Sequence, residues 1–372
     1  MRRPKIAFVG GFFPFQAGGA EYQSYLLACK LRERAEISFV YIDDDSRPPF
    51  LSHDGFSLLR IPKRRVLRRV AGRYFVLDMP CLLEVLSTIQ PDIIYRRGGT
   101  AYSGIASMYA RRRNCKMILH ISSDRDVASD WYRGTRTAIF DYLDHRFMKY
   151  AIQNAHSVIG QTYDQSRKLE SVYGRQCTCV VGNWHPLPKE DIVKRENPVT
   201  VVWIANVKSM KRPELFMALA AELAHLSSVR FVMVGRPPSG TLASGFRKEI
   251  QSTGKVDFRG EMSIDEVSRL LAASHILVNT SLYEGFPNTF VQAWMHYVPV
   301  VSLQVDPDDV LRKEKIGFHS GTFDNLVRDT KNLIENENVR RQMGERARHY
   351  ALQNHVLETA IGKILHFFEP PL

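Results

Sequence analysis

The sequence has few cysteines and no long apolar run, and both absences restrict the class of protein. No stretch approaches about 18 uninterrupted apolar residues, so no transmembrane helix is predicted. The apolar run after Arg2 and Arg3 ends at Gly10, which is too short for a signal peptide. The five cysteines are odd in number and lack the spacing of a zinc or redox pair. We therefore expect reduced thiols in a cytoplasmic protein.

Common phosphate-binding and nucleic-acid-binding motifs are also missing. The chain has neither a Gly-x-Gly-x-x-Gly turn after its first strand nor a Walker-type Gly-Lys-Ser/Thr. It lacks zinc-finger spacing and an RNA-binding aromatic signature, so nucleic acid is not expected as a partner and is suggested by charge alone. With 372 residues, 44% hydrophobic and 24% charged, the composition predicts a folded chain of two domains.

Positive charge is in excess, at a net +12, and it is concentrated in the first half of the chain. Residues 1–185 carry +11, whereas residues 186–372 carry +1. Six basic residues without an intervening acid form one cluster: Lys63, Arg64, Arg65, Arg68, Arg69 and Arg73. In a helix these residues would flank an apolar face, which is typical of binding to an anionic membrane surface. A solvated helix or loop explains the cluster equally well.

Short β-rich apolar runs alternate with helical patterns along the chain, which indicates βαβ units and parallel sheets. Prolines and charges interrupt both periodicities at 186–198, where we place a linker. The sequence therefore predicts an α/β fold of two doubly wound domains, 1–185 and 199–349. Ligands bind such sheets beyond the carboxyl ends of the strands, and two facing domains would form a cleft there.

Two features of the first half follow predicted strands. Gly18 and Gly19 open a helix after the first strand, where small residues let a ligand phosphate approach the backbone. A tight turn without a ligand is the alternative. His120 ends an apolar strand and precedes a polar run, so it could bind a sugar hydroxyl or a phosphate. A purely structural histidine is the alternative there.

In the second half, a basic turn follows the strand that ends near Trp203. Lys208, Lys211 and Arg212 gather just before Pro213, which suits the first turn of a helix. Cations at such a βα turn could clamp a diphosphate. A solvated basic turn is the alternative.

The segment 279–296 is the strongest signal in the sequence. A strand ends near Asn279, a turn containing Glu284 follows, and Asn288 or Thr289 is predicted to cap a buried helix. Free N–H groups at that helix start could hold phosphate, and Glu284 could accept hydrogen bonds from sugar hydroxyls.

Over essentially the whole chain, these features resemble the retaining glycosyltransferases of family four, whose GT-B architecture has two facing Rossmann-like domains. The resemblance depends on the order and spacing of six motifs: Gly18-Gly19-Ala20-Glu21, His120, Lys211-Arg212-Pro213-Glu214-Leu215-Phe216, Val234-Gly235, Phe258-Arg259-Gly260 and Glu284-Gly285-Phe286-Pro287-Asn288.

The resemblance implies a role for each motif. Lys211 would neutralise the donor diphosphate, Glu284 would contact the transferred sugar, and His120 would touch sugar and phosphate from the other domain. Further donor contacts are implied for Gly18 and Gly19 over the diphosphate, for Arg259 and Gly260 near the nucleobase, and for the backbone around Asn288 and Thr289 at phosphate or sugar. Donor binding is also implied for Gly235, Gly285, Phe286 and Pro287.

Two positions depart from the family pattern. Gln292 stands where the family usually has a second glutamate for the ribose hydroxyls; an amide still accepts and donates but carries no charge. Asn206 stands where many members have an arginine beside the phosphate-binding lysine, and Lys208 or Arg212 would compensate. Both positions stay candidates for donor binding.

The implied reaction is transfer of a sugar from a UDP- or GDP-sugar to a hydroxyl of a lipid-linked or cell-surface glycan acceptor, with retention and without a bound metal or further cofactor. The enzyme would be cytoplasmic and peripheral at the inner face of a membrane, with its last helix, about 350–372, packing back on the first domain. A nucleotide-sugar epimerase and a glycosyl phosphorylase share the fold and are the alternatives. The Asp43-Asp44-Asp45 run suggests the metal-binding Asp-x-Asp of another glycosyltransferase fold, but it follows a strand of the two-Rossmann pattern.

Overall fold

The computed structural model describes residues 2–369 except 17, 44–47, 63–77, 129–137, 190, 239–244, 247, 249 and 251–253. The chain divides into two compact units. The first comprises Met1–Gly182 and Ala360–Leu372, and the second comprises Asn183–Thr359. The basic cluster predicted to bind a membrane surface lies outside the described residues.

In the first unit, the described strands form one sheet in the order β3-β4-β2-β1-β5-β6-β7-β8. All neighbouring strands are parallel except the β3–β4 hairpin. The strands are β1 Lys5–Val9, β2 Glu36–Asp43, β3 Phe50–His53, β4 Phe56–Pro62, β5 Ile93–Arg97, β6 Lys116–His120, β7 Ser157–Gly160 and β8 Cys179–Val180.

Helices connect these strands and cover the sheet. They are α1 Gly19–Leu31, α2 Met79–Ile89, α3 Ala101–Arg113, α4 Ala138–Asn154 and α5 Tyr163–Tyr173. Buried side chains of α2, α3 and α4, such as Leu86, Ile105 and Met148, share a core with Met117 and Leu119 of β6. Burial of this apolar surface favours the folded unit because it removes apolar area from water.

In the second unit, the described strands form a parallel sheet in the order β11-β10-β9-β12-β13-β14. They are β9 Val199–Ile204, β10 Val229–Val234, β11 Val256–Phe258, β12 Ile276–Asn279, β13 Val300–Ser302 and β14 Gly317–His319. Its helices are α6 Pro213–Glu222, α7 Ile264–Ala272, α8 Asn288–Met295, α9 Val310–Lys313, α10 Phe323–Glu335, α11 Glu337–Asn354 and α12 Leu357–Gly362, the last crossing into the first unit at Ala360.

Strand β9 illustrates why the strands of this sheet consist mostly of apolar residues. Val201 and Trp203 belong to a core on one face, whereas Val202 belongs to a second core on the other. Strands buried on both faces need apolar residues at every position. The predicted pair of doubly wound parallel sheets is confirmed by this architecture.

The boundaries of the units differ in detail from the predicted ones. The segment 186–198 belongs to the second unit, where the Lys194 ammonium donates to the Ser274 carbonyl. The predicted terminal helix is interrupted, because α11 ends at Asn354, α12 begins at Leu357, and only Ala360 onward belongs to the first unit. Phe368 of that final segment lies against Tyr95 of β5, with ring centroids 5.7 Å apart.

Within the described ranges, no helix combines the length and the apolar character that crossing a bilayer requires.

Candidate functional site

Two turns of the second unit lie side by side at the carboxyl edge of its sheet. One follows β9 and the other follows β12, and these strands are neighbours with Ile276 paired to Val201. Lys211 of the first turn and Glu284 of the second form a salt bridge, with Nζ 2.8 Å from Oε1. Their side chains are only 18% and 17% exposed. The two residues that the sequence singled out separately are therefore in direct contact.

The carboxylate of Glu284 is held by residues at the end of β12. Its Oε1 accepts hydrogen bonds from the Ser281 hydroxyl at 2.7 Å and from the Asn279 amide at 3.0 Å. The amide oxygen of Asn279 accepts from the Ser281 backbone N–H at 3.1 Å, which orients both donors. Sequence reasoning assigned no role to Asn279 or Ser281, although a polar run directly after a buried strand was a signal for them.

Thr280 joins the two turns. Its hydroxyl lies 2.6 Å from the Lys211 carbonyl and 2.9 Å from that of Arg212, and it accepts from the Trp203 indole N–H at 2.9 Å. Arg212 has a left-handed backbone, with φ of 47°, and its Nε donates to the Thr280 carbonyl at 2.7 Å. Arg212 thus positions the turn in this structure, and its predicted diphosphate contact stays a prediction.

Helix α8 begins directly after this second turn. Its N-cap is Pro287, and no described side chain caps the helix, so the predicted capping by Asn288 or Thr289 is wrong. Pro287 has an extended backbone, with φ of −65° and ψ of 126°, and its carbonyl accepts from Phe290 N at 3.2 Å. The backbone N–H groups of Asn288 and Thr289 therefore begin the helix without a side-chain acceptor, an arrangement that favours an anion.

Two buried histidines, His185 and His355, contact residues at the start of this helix. The side chain of Asn288 hydrogen-bonds His185, and burial, reinforced by His355, lowers the pKa of His185 to about 3. The His355 ring lies 4.8 Å from that of Phe286, while the Asn183 amide donates to the Phe286 carbonyl. These groups fix the turn from Gly285 to Asn288 through neutral contacts.

The other predicted donor residues of this unit lie along the same carboxyl edge. Gly235 follows β10, and a Cβ there would come within 1.7 Å of the Ala205 carbonyl oxygen, so the position requires glycine. Gly235 N donates to the Gly260 carbonyl at 2.8 Å, and the Arg259 Nε lies 3.1 Å from an Asp257 carboxylate oxygen. The Asn206 side chain accepts from Arg236 N at 3.4 Å.

Lys208 and Gln292 are the last two residues of this unit that the sequence predicts at the donor site. Lys208 is exposed at the turn after β9. Gln292 is half-buried on α8, where its backbone carbonyl bonds the His296 Nδ1 at 2.7 Å.

His120 ends strand β6 in the first unit and is fully buried. Its Nδ1 lies 2.9 Å from the Tyr95 hydroxyl and 3.2 Å from the Arg97 guanidinium. Because a guanidinium can only donate, Nδ1 accepts and the imidazole is neutral. Burial, followed by the charge of Arg97, holds the pKa of His120 well below its usual value. Sequence reasoning missed Arg97, which also ends a strand at this edge.

Gly18 and Gly19 begin helix α1 beside Glu21. A Cβ on Gly18 would lie 2.0 Å from a carboxylate oxygen of Glu21, and one on Gly11 would lie 2.6 Å from Glu21 Cγ. The Glu21 side chain therefore lies close to both Gly18 and Gly11. The predicted diphosphate contact of Gly18 and Gly19 stays a prediction.

Among the described residues, no three His, Cys, Asp or Glu side chains are grouped as a metal ion would need.

Comparison with known proteins agrees with this geometry. Residues 187–350 match the family described as Glycosyl transferases group 1. The gpi3 subunit of phosphatidylinositol N-acetylglucosaminyltransferase from Schizosaccharomyces pombe is 21% identical over 312 residues, which are 79% of this chain and 64% of that protein. The chain thus spans slightly less than two thirds of that relative.

Solved structures show the same fold over nearly the whole chain. Sucrose-phosphate synthase from Thermosynechococcus elongatus superposes with a TM-score of 0.79 at 14% identity, covering 98% of each chain. Anabaena HepE in complex with UDP gives a TM-score of 0.72 at 16% identity, covering 98% of this chain and 99% of that one.

The two Rossmann-like units have the GT-B architecture, and residues 187–350 are similar to the group 1 glycosyltransferases.

Proposed function

We propose that the chain transfers a sugar from a nucleoside-diphosphate sugar to a hydroxyl of a lipid-linked or cell-surface glycan, with retention of configuration. The observation that carries this proposal is the Lys211–Glu284 salt bridge of 2.8 Å beside the start of α8. It places a cation, a carboxylate and free backbone N–H groups at one edge of one sheet. A glycosyl diphosphate needs all three.

The main electrostatic task is to stabilise the leaving group. As the bond between the sugar C1 and the diphosphate oxygen breaks, negative charge grows on the diphosphate. Lys211 and the N–H groups of Asn288 and Thr289 are placed to stabilise that charge. Glu284 accepts hydrogen bonds from hydroxyls of the transferred sugar. The acceptor oxygen bonds C1 on the same face, and its proton passes to the departing diphosphate.

The donor is a UDP- or GDP-sugar in this proposal. HepE, which shares the fold, was solved with UDP. Gly235, Arg259 and Gly260 would surround the base, and Gln292 would meet the ribose hydroxyls. The neutral His120 is not needed as a base, because the diphosphate oxygen accepts the proton. The proposal also requires no bound metal.

Nucleotide binding tests the donor site directly. We expect UDP or GDP, but not ADP, to raise the melting temperature of the wild type, and Lys211→Met to abolish most of that rise. Lys255→Met changes an exposed lysine that precedes β11 and serves as the control. If no nucleotide stabilises the protein, the donor site is not where we place it.

Turnover tests the role of Glu284. We expect Glu284→Ala to lower kcat by about 100-fold or more, as loss of a transition-state contact does. Glu261→Ala, which removes an exposed carboxylate paired with Arg236, should leave kcat unchanged. Near-normal turnover of folded Glu284→Ala would refute the assignment. Conversion of the donor without an acceptor would instead indicate an epimerase, and a need for phosphate would indicate a phosphorylase.

The acceptor is proposed to lie at the inner face of a membrane. Support comes from the +11 charge of residues 1–185 and from the name of the gpi3 relative, which acts on phosphatidylinositol. We expect sedimentation with anionic liposomes to fall when Arg64, Arg65, Arg68 and Arg69 are changed to Ser. Changing Arg328 and Arg341 to Ser, in the near-neutral second half, should not affect it. Equal binding to anionic and neutral liposomes would contradict the membrane role.

A further inference from the structure

A cavity lined mainly by charged residues lies within the second unit, away from the Lys211–Glu284 pair. It has a volume of about 340 Å³, which is within the range of small-molecule sites. Glu196, His275 and Tyr297, which line it, precede strands β9, β12 and β13. The strands are parallel, so this cavity is at the amino edge of the sheet. Lys211 and Glu284 follow β9 and β12 and are at the opposite edge.

Two cations, the partly buried Lys194 and the buried Arg340, line this cavity. Lys194 donates to the Ser274 carbonyl, and Arg340, only 7% exposed, donates from Nη1 to the Leu333 carbonyl at 2.6 Å. Burial and the charge of Arg340 lower the pKa of Lys194 to about 7. The charge of Arg340 thus adds to the cost of protonating Lys194.

The carboxylates of the cavity do not neutralise Lys194. Glu345 pairs with Arg341 at 3.3 Å, Glu337 interacts with Arg340, and Glu196 is exposed. Among the described residues, no carboxylate oxygen lies within 4.0 Å of the Lys194 ammonium. An ammonium buried without a counter-ion is costly, and a bound anion would remove that cost.

The imidazole of His275 is already occupied. Its Nδ1 accepts from Thr200 N at 3.0 Å, and its Nε2 donates to the Arg195 carbonyl at 2.8 Å. Through these bonds His275 connects strand β9 with the segment around Lys194. The wall of the cavity is therefore built independently of any ligand.

We propose that this cavity binds the phosphate group of a small organic molecule between Lys194 and Arg340. A phosphate dianion can accept from an ammonium and a guanidinium at once and neutralise both charges, whereas a carboxylate neutralises one. The remaining volume, lined by Ile192 and Tyr297, accommodates the organic part of the molecule. The proposal is independent of sugar transfer, because it uses neither Lys211 nor Glu284.

Calorimetric titration of the full chain with inorganic phosphate and with glucose 6-phosphate, at constant ionic strength, tests the proposal. We expect Lys194→Met and Lys194→Gln to weaken binding of both probes at least tenfold. Lys211→Met and Lys255→Met should retain it. Unchanged binding in the Lys194 variants, loss of binding in Lys211→Met, or no binding to the wild type would each overturn the proposal.

Hydrogen exchange of the wild type tests the same site without a substitution. Glucose 6-phosphate is expected to slow amide exchange in 192–196 and 337–341. Slower exchange confined to 280–290 would show that the probe occupies the opposite edge of the sheet and would refute the cavity as its site. Vesicles of phosphatidic acid should give no protection of 192–196, and protection by them would replace the small molecule with a lipid headgroup.

Discussion

Lys211 and Arg212 are adjacent cations with different tasks. The Lys211 ammonium contacts the Glu284 carboxylate at 2.8 Å. In the proposed reaction, the donor diphosphate replaces that carboxylate. The Arg212 guanidinium bonds the carbonyls of Thr280 and Ser281, at 2.7 and 3.4 Å. These contacts are with uncharged backbone groups of the neighbouring turn. In the proposed reaction, the positive charge therefore comes from Lys211, whereas Arg212 holds the shape of the turn.

Substitution of the two cations should separate these tasks. We expect Lys211→Met to lower kcat/KM by about 100-fold while the melting temperature changes little. Arg212→Met should destabilise the fold by about 1–3 kcal/mol, because it leaves backbone carbonyls without donors. Urea unfolding and initial rates measure the two effects. The assignment is wrong if Lys211→Met is the destabilised variant and retains activity.

At the scale of elements, the turn after β9 and the turn after β12 are held together by hydrogen bonds. Thr280 accepts from the buried Trp203 indole at 2.9 Å and donates to carbonyls of the other turn. Helix α8 then begins from this joined pair of turns, with His185 hydrogen-bonded to Asn288 beneath it. The site therefore lies on two turns that are hydrogen-bonded to each other, which favours precise placement of charges.

Removal of the Thr280 hydroxyl should loosen both turns. Thr280→Val conserves the shape but leaves the Trp203 N–H unsatisfied, so we expect a loss of about 1–3 kcal/mol in unfolding free energy. Turnover should fall with it, since Lys211 and Glu284 lose their common support. Thr200→Val, on the neighbouring strand β9, is the matched control. Equal stability of the two variants would remove Thr280 from this role.

Acid should lower the unfolding free energy of the protein through His185, which hydrogen-bonds Asn288 at the start of α8. The folded pKa of about 3 is below the ordinary value of 6.5, so the unfolded chain binds the extra proton between these pH values. Stability present above pH 6.5 is then lost as the pH falls, by about 2 kcal/mol between pH 6.5 and pH 5. His185→Gln should flatten the unfolding free energy against pH, whereas exposed His225→Gln should not. An unchanged slope would exclude His185 as the cause.

At the scale of the whole molecule, the chain leaves the first unit at Gly182 and returns to it at Ala360. Ile361, Ile364 and Phe368 of the returning segment are at most 4% exposed, and the Lys116 ammonium donates to the Glu369 carbonyl at 3.5 Å. The first unit is therefore completed by the last residues of the chain. Its stability depends on both ends of the sequence.

Shortening the chain tests this dependence. We expect deletion of 360–372 to lower the melting temperature, and Phe368→Ala alone to cost about 3–5 kcal/mol, because it removes a buried ring that contacts Tyr95. Leu352→Ala, at a 39% exposed site on α11, is the control and should cost little. A first unit of full stability without these residues would contradict their structural role.

Much of this fold could be predicted from the sequence, because burial on strands and helices leaves a local periodicity. The alternation of apolar runs predicted two parallel sheets, and the segment 279–296 predicted a strand, a turn and a helix start, with the turn containing Glu284. Charge distribution along the chain is likewise a property of the sequence alone. These features need no knowledge of which segments meet.

Contacts between distant segments were decided by the tertiary structure. Lys211 meets Glu284 only because β9 and β12 are neighbours in the sheet, an order that no local pattern encodes. The start of α8 directly after Pro287 and the hydrogen bonds that hold His120 neutral also depend on packing. The sequence by itself therefore determined the elements and their chemistry. The strand order and the burial that brings those elements together determined which charges are paired and which are left to meet a ligand.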